Sequence, residues 1–187
     1  MRSRRLEHYA DDDAATKKSF EESVKSLFPE GTTVTLSNIS GVRTIDPAIV
    51  AELDLNLPNS ASFVGSRIML PMSVFRATVR NPFAATQRKS GVYFRFPYTE
   101  DDAVTLEIPP GYSVETMPTT TEVLGGAIVY RNHYDMDDNS VHFTRHLEVN
   151  TVYIAVDKYP ALRSIYSKIA SADQEQIVLR KTAKVSK

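Results

Sequence analysis

Between Gly91 and Val156 the chain carries a succession of short segments in which apolar and polar residues alternate, broken by turn signals. An extended chain points successive side chains to opposite faces, so this pattern buries its apolar half by building a sheet with one inward face. Val92, Phe94 and Phe96 share a face. Thr99-Glu100-Asp101-Asp102 reads as an acidic turn before a strand over Ala103–Ile108, and Pro109-Pro110-Gly111 turns the chain into a short strand at Tyr112–Thr116. A polar loop at Pro118–Glu122 precedes Gly125-Gly126. Ala127–Asp135 and Ser140–Asn150 then predict a hairpin joined by Met136-Asp137-Asp138-Asn139, and Val152–Val156 a further short strand.

The ends carry a different period. Phe20, Val24, Leu27 and Phe28 repeat at i, i+4, i+7 and i+8 behind the acids Asp11, Asp12 and Asp13, which predicts a helix over 12–28, stopped by Pro29-Glu30-Gly31. Leu162, Ile165, Tyr166 and Ile169 predict a second helix over 159–171, with Pro160 in its first turn and Asp157 as its cap. Strands are expected at 32–36, 49–57 and 62–70, a polar connector at 37–47 and extended chain at 177–179. Periodicity fails over 71–90, where Phe75 and Phe83 are expected to pin an ordered loop. The reading is a mainly β, α+β-margined chain: an antiparallel β-sandwich over 11–180 with a helix near each terminus packed by its apolar stripe on the sheet. A flexible lead-in is expected over 1–10 and a flexible tail over 181–187.

At 187 residues such a chain can bury roughly 70% of its unfolded surface without staples. A formal net charge of -1 gives no electrostatic footprint for nucleic acid, so no nucleic-acid partner is expected. No run reaches the about 20 apolar residues of a membrane helix, and no membrane insertion is expected. Arg2, Arg4 and Arg5 give the start the charge of a signal n-region, but no apolar stretch follows. Cysteine is absent, which excludes disulfides, thiolate metal sites and thiol nucleophiles together.

The residue clusters point away from chemistry. His142 and His146 stand at i, i+4, a chelating spacing on a helix; on a strand they lie about 13 Å apart, on the face opposite Val141, Phe143, Leu147 and Val149. The acids from Asp135 to Asn139 lack the glycine and the bidentate glutamate of a calcium loop and read as a solvated turn. No G-x-S-x-G elbow occurs, Gly125-Gly126 opens a strand rather than a helix, and Glu100-Asp101-Asp102 reads as a turn rather than as the carboxylate pair of a glycosidase. Neither a cofactor nor a metal site is expected. Tyr93, Tyr98, Tyr112, Tyr130 and Tyr134, with Tyr153, are the rings available for a glycan- or peptide-binding surface.

Two stretches carry a resemblance. Gly91-Val92-Tyr93-Phe94-Arg95-Phe96-Pro97-Tyr98 leads to Val104-Thr105-Leu106-Glu107-Ile108-Pro109-Pro110-Gly111-Tyr112, and Tyr159-Pro160-Ala161-Leu162-Arg163 leads to Asp173-Gln174-Glu175-Gln176-Ile177-Val178-Leu179. Both resemble the C-terminal region of bacterial multidomain transglutaminase-like proteins, which place a β-sandwich of unknown function after a Cys-His-Asp core. The segment from Arg4-Arg5 through Lys17-Lys18 to Phe20-Glu21 is similar to the stretch just after that core. The resemblance implies a non-catalytic accessory domain, with a transglutaminase-like domain as partner in cis or in trans. The chain carries no counterpart of the nucleophilic cysteine, so no enzymatic activity is expected of it. A parent that is exported would place it in the periplasm or outside the cell.

Overall fold

The alternating segments form antiparallel strands, and one helix lies near each end. The computed structural model describes residues 13–28, 30–41, 50–58, 60–76 and 80–182. The expected lead-in, most of the expected tail, and part of the connector over 37–47 lie outside those residues. The chain divides into two compact units, Met1–Ser60 and Ala61–Lys187, so the span 11–180 read as one domain holds parts of both.

In the first unit α1 (Asp13–Lys25) is followed by the hairpin of β1 (Thr33–Ser40) and β2 (Val50–Asn56). The stripe holds in part: Phe20 and Val24 bury against Leu36, with Phe28, Val34, Ile39, Ala51 and Leu53 around them, but the helix expected to reach Phe28 ends at Lys25 and Leu27 is exposed. The Glu21 carboxylate accepts the Leu36 backbone N–H at 2.8 Å. The β1–β2 register slips between Leu36 and Asn38, and the Ser37 hydroxyl beside that slip donates to Asp54.

The second unit holds β3 (Ser62–Val64), β4 (Arg67–Pro71), β5 (Val92–Tyr93), β6 (Tyr98–Glu107), β7 (Tyr112–Thr116), β8 (Glu122–Leu124), β9 (Ile128–Met136), β10 (Ser140–Val149), β11 (Tyr153–Ile154), α2 (Tyr159–Asp173) and β12 (Gln176–Lys181). Among the described residues, β6-β10-β9-β8 form one four-stranded sheet, β3-β4-β12-β7 another, and β5 pairs with β11 in a small ribbon. Two neighbouring cores follow from this order. Tyr134, Val141 and Phe143 of the first sheet face Ile177, Leu179, Ile68, Leu70 and Val114 of the second. Further along the same inward face, Ile128, Tyr130, Leu147 and Val149 pack under Leu162, Tyr166 and Ile169 of α2. One face is thus covered partly by a sheet and partly by a helix.

Several boundaries differ from the sequence reading, each for a local reason. The single strand expected over 62–70 is the hairpin β3–β4. Its turn falls at Gly65, whose φ of +60° suits glycine, and Phe63 pairs with Ile68 across it, so the face that carries Phe63 continues through Ile68 rather than Arg67. Thr99–Asp102 is not a turn but the first half of β6, with Glu100 and Asp102 on the inward side. Val92–Phe96 shortens to β5, although Phe94 still donates its N–H to the Val152 carbonyl and packs edge-on to Phe83 at 6.2 Å. Val152–Val156 gives two strand residues and then a tight turn at Val156–Lys158. Lys158, not Asp157, holds the N-cap position of α2, without a side-chain cap bond, and α2 runs on to Asp173. Of the two loop aromatics, Phe83 is buried as expected, whereas Phe75 is largely exposed.

Candidate functional site

The inward positions of β10 are Val141, Phe143, Arg145, Leu147 and Val149. Four are apolar; the central one is an arginine whose side chain is 2% exposed. Its register explains its company. Asp102 of β6 and Asn132 of β9 lie directly across from Arg145. Glu100, two residues from Asp102 on the same strand, shares that inward face. Asp173, the last residue of α2, comes in from the covering helix.

The guanidinium joins these groups. Arg145 Nε donates to Asp173 Oδ1 at 2.9 Å, and Nη1 donates to Asp102 Oδ2 at 3.2 Å and Glu100 Oε2 at 3.3 Å. Arg76 Nη2 meets the other Glu100 oxygen at 2.7 Å. The Tyr130 hydroxyl donates to Asp173 Oδ1 at 2.8 Å and accepts from Asn132 Nδ2 at 3.2 Å, while Asn132 Oδ1 takes the Thr121 N–H. The guanidinium also lies 5.5 Å from the Tyr130 ring centroid. Asp173 stands at the negative end of the helix dipole, an unfavourable place for an acid; the two donors on its oxygen offset that. The inward face thus carries ionisable groups beside its apolar ones. The alternation that named the core also runs through Arg145, Glu100 and Asp102, and two or three opposed charges can be accommodated where an isolated one cannot.

Burial opposes the charge on Arg145, but the hydrogen bond and charge of Asp173, with Asp102 and Glu100, hold the guanidinium above its ordinary range. Burial pushes the Tyr130, Tyr134 and Tyr166 hydroxyls well above theirs, helped by Asp173 at Tyr130, by Glu175 at Tyr134 and by the Tyr98 hydroxyl at Tyr166. A proton held more tightly in the folded state makes stability fall once pH passes the unfolded tyrosine value of about 10, at up to about 1.4 kcal/mol per pH unit for each such group. Denaturant melts between pH 9 and 12, followed by phenolate absorbance, should show the Tyr130, Tyr134 and Tyr166 hydroxyls ionising only as the chain unfolds.

Beside the cluster is a cleft of 150 Å³ between β6, α2 and the segment at 80–82, lined by Arg76, Arg80, Tyr98, Glu100, Arg145 and Tyr166 among others. Asn81 fixes that segment: its Nδ2 donates to the Arg163 carbonyl and the Ser167 hydroxyl, and its Oδ1 accepts the Phe83 N–H. The described lining has no serine, cysteine, histidine or lysine.

The outward face of the same sheet is polar. Glu122, Arg131, His146 and Asp101 form one row across β8, β9, β10 and β6, beside a basin of 680 Å³. His146 Nδ1 meets Asp101 at 2.7 Å, whereas His142 meets Asp137 and Thr105. The two histidines thus lie on the outward face with separate partners, as the strand period implied. The hydrogen bond with His142, and then the backbone N–H groups of Asn139 and Ser140, hold Asp137 below the usual carboxylate range. Those N–H bonds close the β9–β10 turn, which is the role expected of this acidic run.

The tyrosine surface is corrected. Tyr130 and Tyr134 are core residues; Tyr98 and Tyr112 are half-buried and pack on the two cores. All four occupy inward phases of their strands. Tyr93 is 78% exposed and, with Tyr153, forms a ring pair at 4.7 Å and 42° on the outer face of the β5–β11 ribbon. The sequence reading missed Arg145, Glu100, Asp102, Asp173, Arg76 and Arg80. For the first three, strand phase was the available signal; Asp173, Arg76 and Arg80 meet them only through the tertiary fold.

The comparisons with other proteins are sparse. The family described as "Domain of Unknown Function with solved-structure structure (DUF3858)" matches residues 66–179. A solved structure of a "putative protease" from Parabacteroides distasonis ATCC 8503 is similar over 51% of this chain, at 14% identity and a TM-score of 0.46. The match spans only 19% of that longer chain. No curated protein is similar enough to count as a match.

Proposed function

Because the chain belongs to the DUF3858 family of domains of unknown function, we propose that it is a non-catalytic accessory domain that packs on, or positions, a catalytic domain of the transglutaminase-like kind. The observation that carries this reading is where its unassigned surface lies. The acids of the inward face are engaged by Arg145 and Arg76, which gives them a structural role. Among the exposed apolar groups, two aromatic rings, Tyr93 and Tyr153, pair on the β5–β11 ribbon, with Val152 exposed beside Tyr153. Neighbouring exposed aromatics are costly to leave wet and are enriched where proteins dock.

The test is a pair of surface changes. Tyr93→Ser with Tyr153→Ser should leave the chain's own stability within about 0.5 kcal/mol. The same pair should weaken its association with a transglutaminase-like catalytic domain by about tenfold or more, measured calorimetrically. Unchanged affinity would remove this face from the account. A glycan-binding module is the second reading, favoured by the same exposed rings; sugar binding lost in the Tyr93→Ser variant, with no domain association in the parent chain, would favour it.

A further inference from the structure

The cleft beside Arg145 has more hydrogen-bond donors than its walls accept. Arg76 Nε is buried and has no acceptor among the described residues, although Nη2 of the same guanidinium is held by Glu100. Arg145 gives Nε and Nη1 to carboxylates. The Tyr98 and Tyr166 hydroxyls meet only each other, at 3.4 Å, so one of their two protons is unused there. Arg80 lines the cleft as an exposed residue and makes no ion pair with a described residue. Of the three guanidinium groups in the lining, Arg145 is engaged by Glu100, Asp173 and, from outside the lining, Asp102, and Arg76 by Glu100, which leaves Arg80.

We infer that this cleft binds a small carboxylate. A monoanion matches Arg80, the guanidinium of the lining that no carboxylate of the described residues engages. A planar pair of acceptor oxygens suits the free edges of guanidinium groups, and 150 Å³ admits a group of a few heavy atoms. The carboxylate can come from a free acid or from the C-terminus of a peptide. The inference stands on the cleft alone and does not depend on the accessory role.

Thermal melts of the full chain test it, with sodium acetate against sodium chloride at equal ionic strength and with acetamide as the uncharged isostere. Acetate should raise the melting temperature saturably and acetamide should not, as ligands of the folded state do by mass action. Arg80→Gln should melt like the parent in chloride but weaken acetate binding by about tenfold. Arg76→Lys should act likewise, because it keeps a cation for Glu100 and removes the buried Nε–H. N-acetylglycylglycine in place of acetate separates the sources: tighter binding than acetate assigns the site to a peptide end, and equal or weaker binding to a free acid. Acetate indistinguishable from chloride, or acetate binding unaltered in Arg80→Gln, would overturn the proposal.

Discussion

Replacing Arg145 with methionine is expected to lower unfolding stability by about 3–5 kcal/mol, read from urea melts followed by circular dichroism. Methionine fills a similar volume, so packing is not what is lost. What is lost is the group that, among the described residues, touches Glu100, Asp102 and Asp173 together, and all three carboxylates sit at least partly inside the fold. Removing one partner of a buried ion cluster leaves charge uncompensated in a poorly solvated place, which costs far more than the cluster contributes when intact. Two controls separate this from a general effect of losing an arginine. Arg131→Met removes an ion pair with Glu122 in which both side chains are about half exposed, and should cost under about 1 kcal/mol. Neutralising the acids alongside, as Arg145→Met with Glu100→Gln, Asp102→Asn and Asp173→Asn, should recover much of the loss.

Phe143→Ala is expected to cost about 3–5 kcal/mol. Phe143 is almost wholly buried, lies 4.9 Å from the Tyr134 ring, and belongs to the core that joins the first sheet to β4, β7 and β12. Truncation there leaves a cavity bounded by two sheets, and rigid layers collapse poorly into such a space. The effect should appear as a lower urea midpoint with an unchanged slope. A cost under 1 kcal/mol would mean that the sheets do not pack face to face through this residue.

The sequence spoke clearly where period and burial coincide. Val141, Phe143, Leu147 and Val149 were read as one inward face and are; His142 and His146 were read as outward and are. The helices on Phe20–Val24 and Leu162–Ile169 were legible because an apolar stripe at helical spacing has few other uses. The hairpin β3–β4 was not legible, because its arms are short and a lone Gly65 is a weak turn signal inside an apolar run. Nor was the charged layer. Polarity alone made Glu100 and Asp102 look like a turn, although their phase placed them beside Arg145. What makes their burial tolerable is the convergence of Asp173 and Arg76 from distant segments, which no local pattern encodes. Tyr130 and Tyr134 misled for the converse reason: tyrosine serves equally as a surface ring and as a core residue with a bonded hydroxyl.

The account rests on Arg145 and its acids acting as one internal brace between the sheet and α2, which leaves function to the surface and the small cleft. A double-mutant cycle on Arg145→Met and Asp173→Asn measures that brace. The predicted coupling is about 1.5–3 kcal/mol, as for hydrogen bonds to charged groups. Additive losses, with coupling near zero, would contradict it.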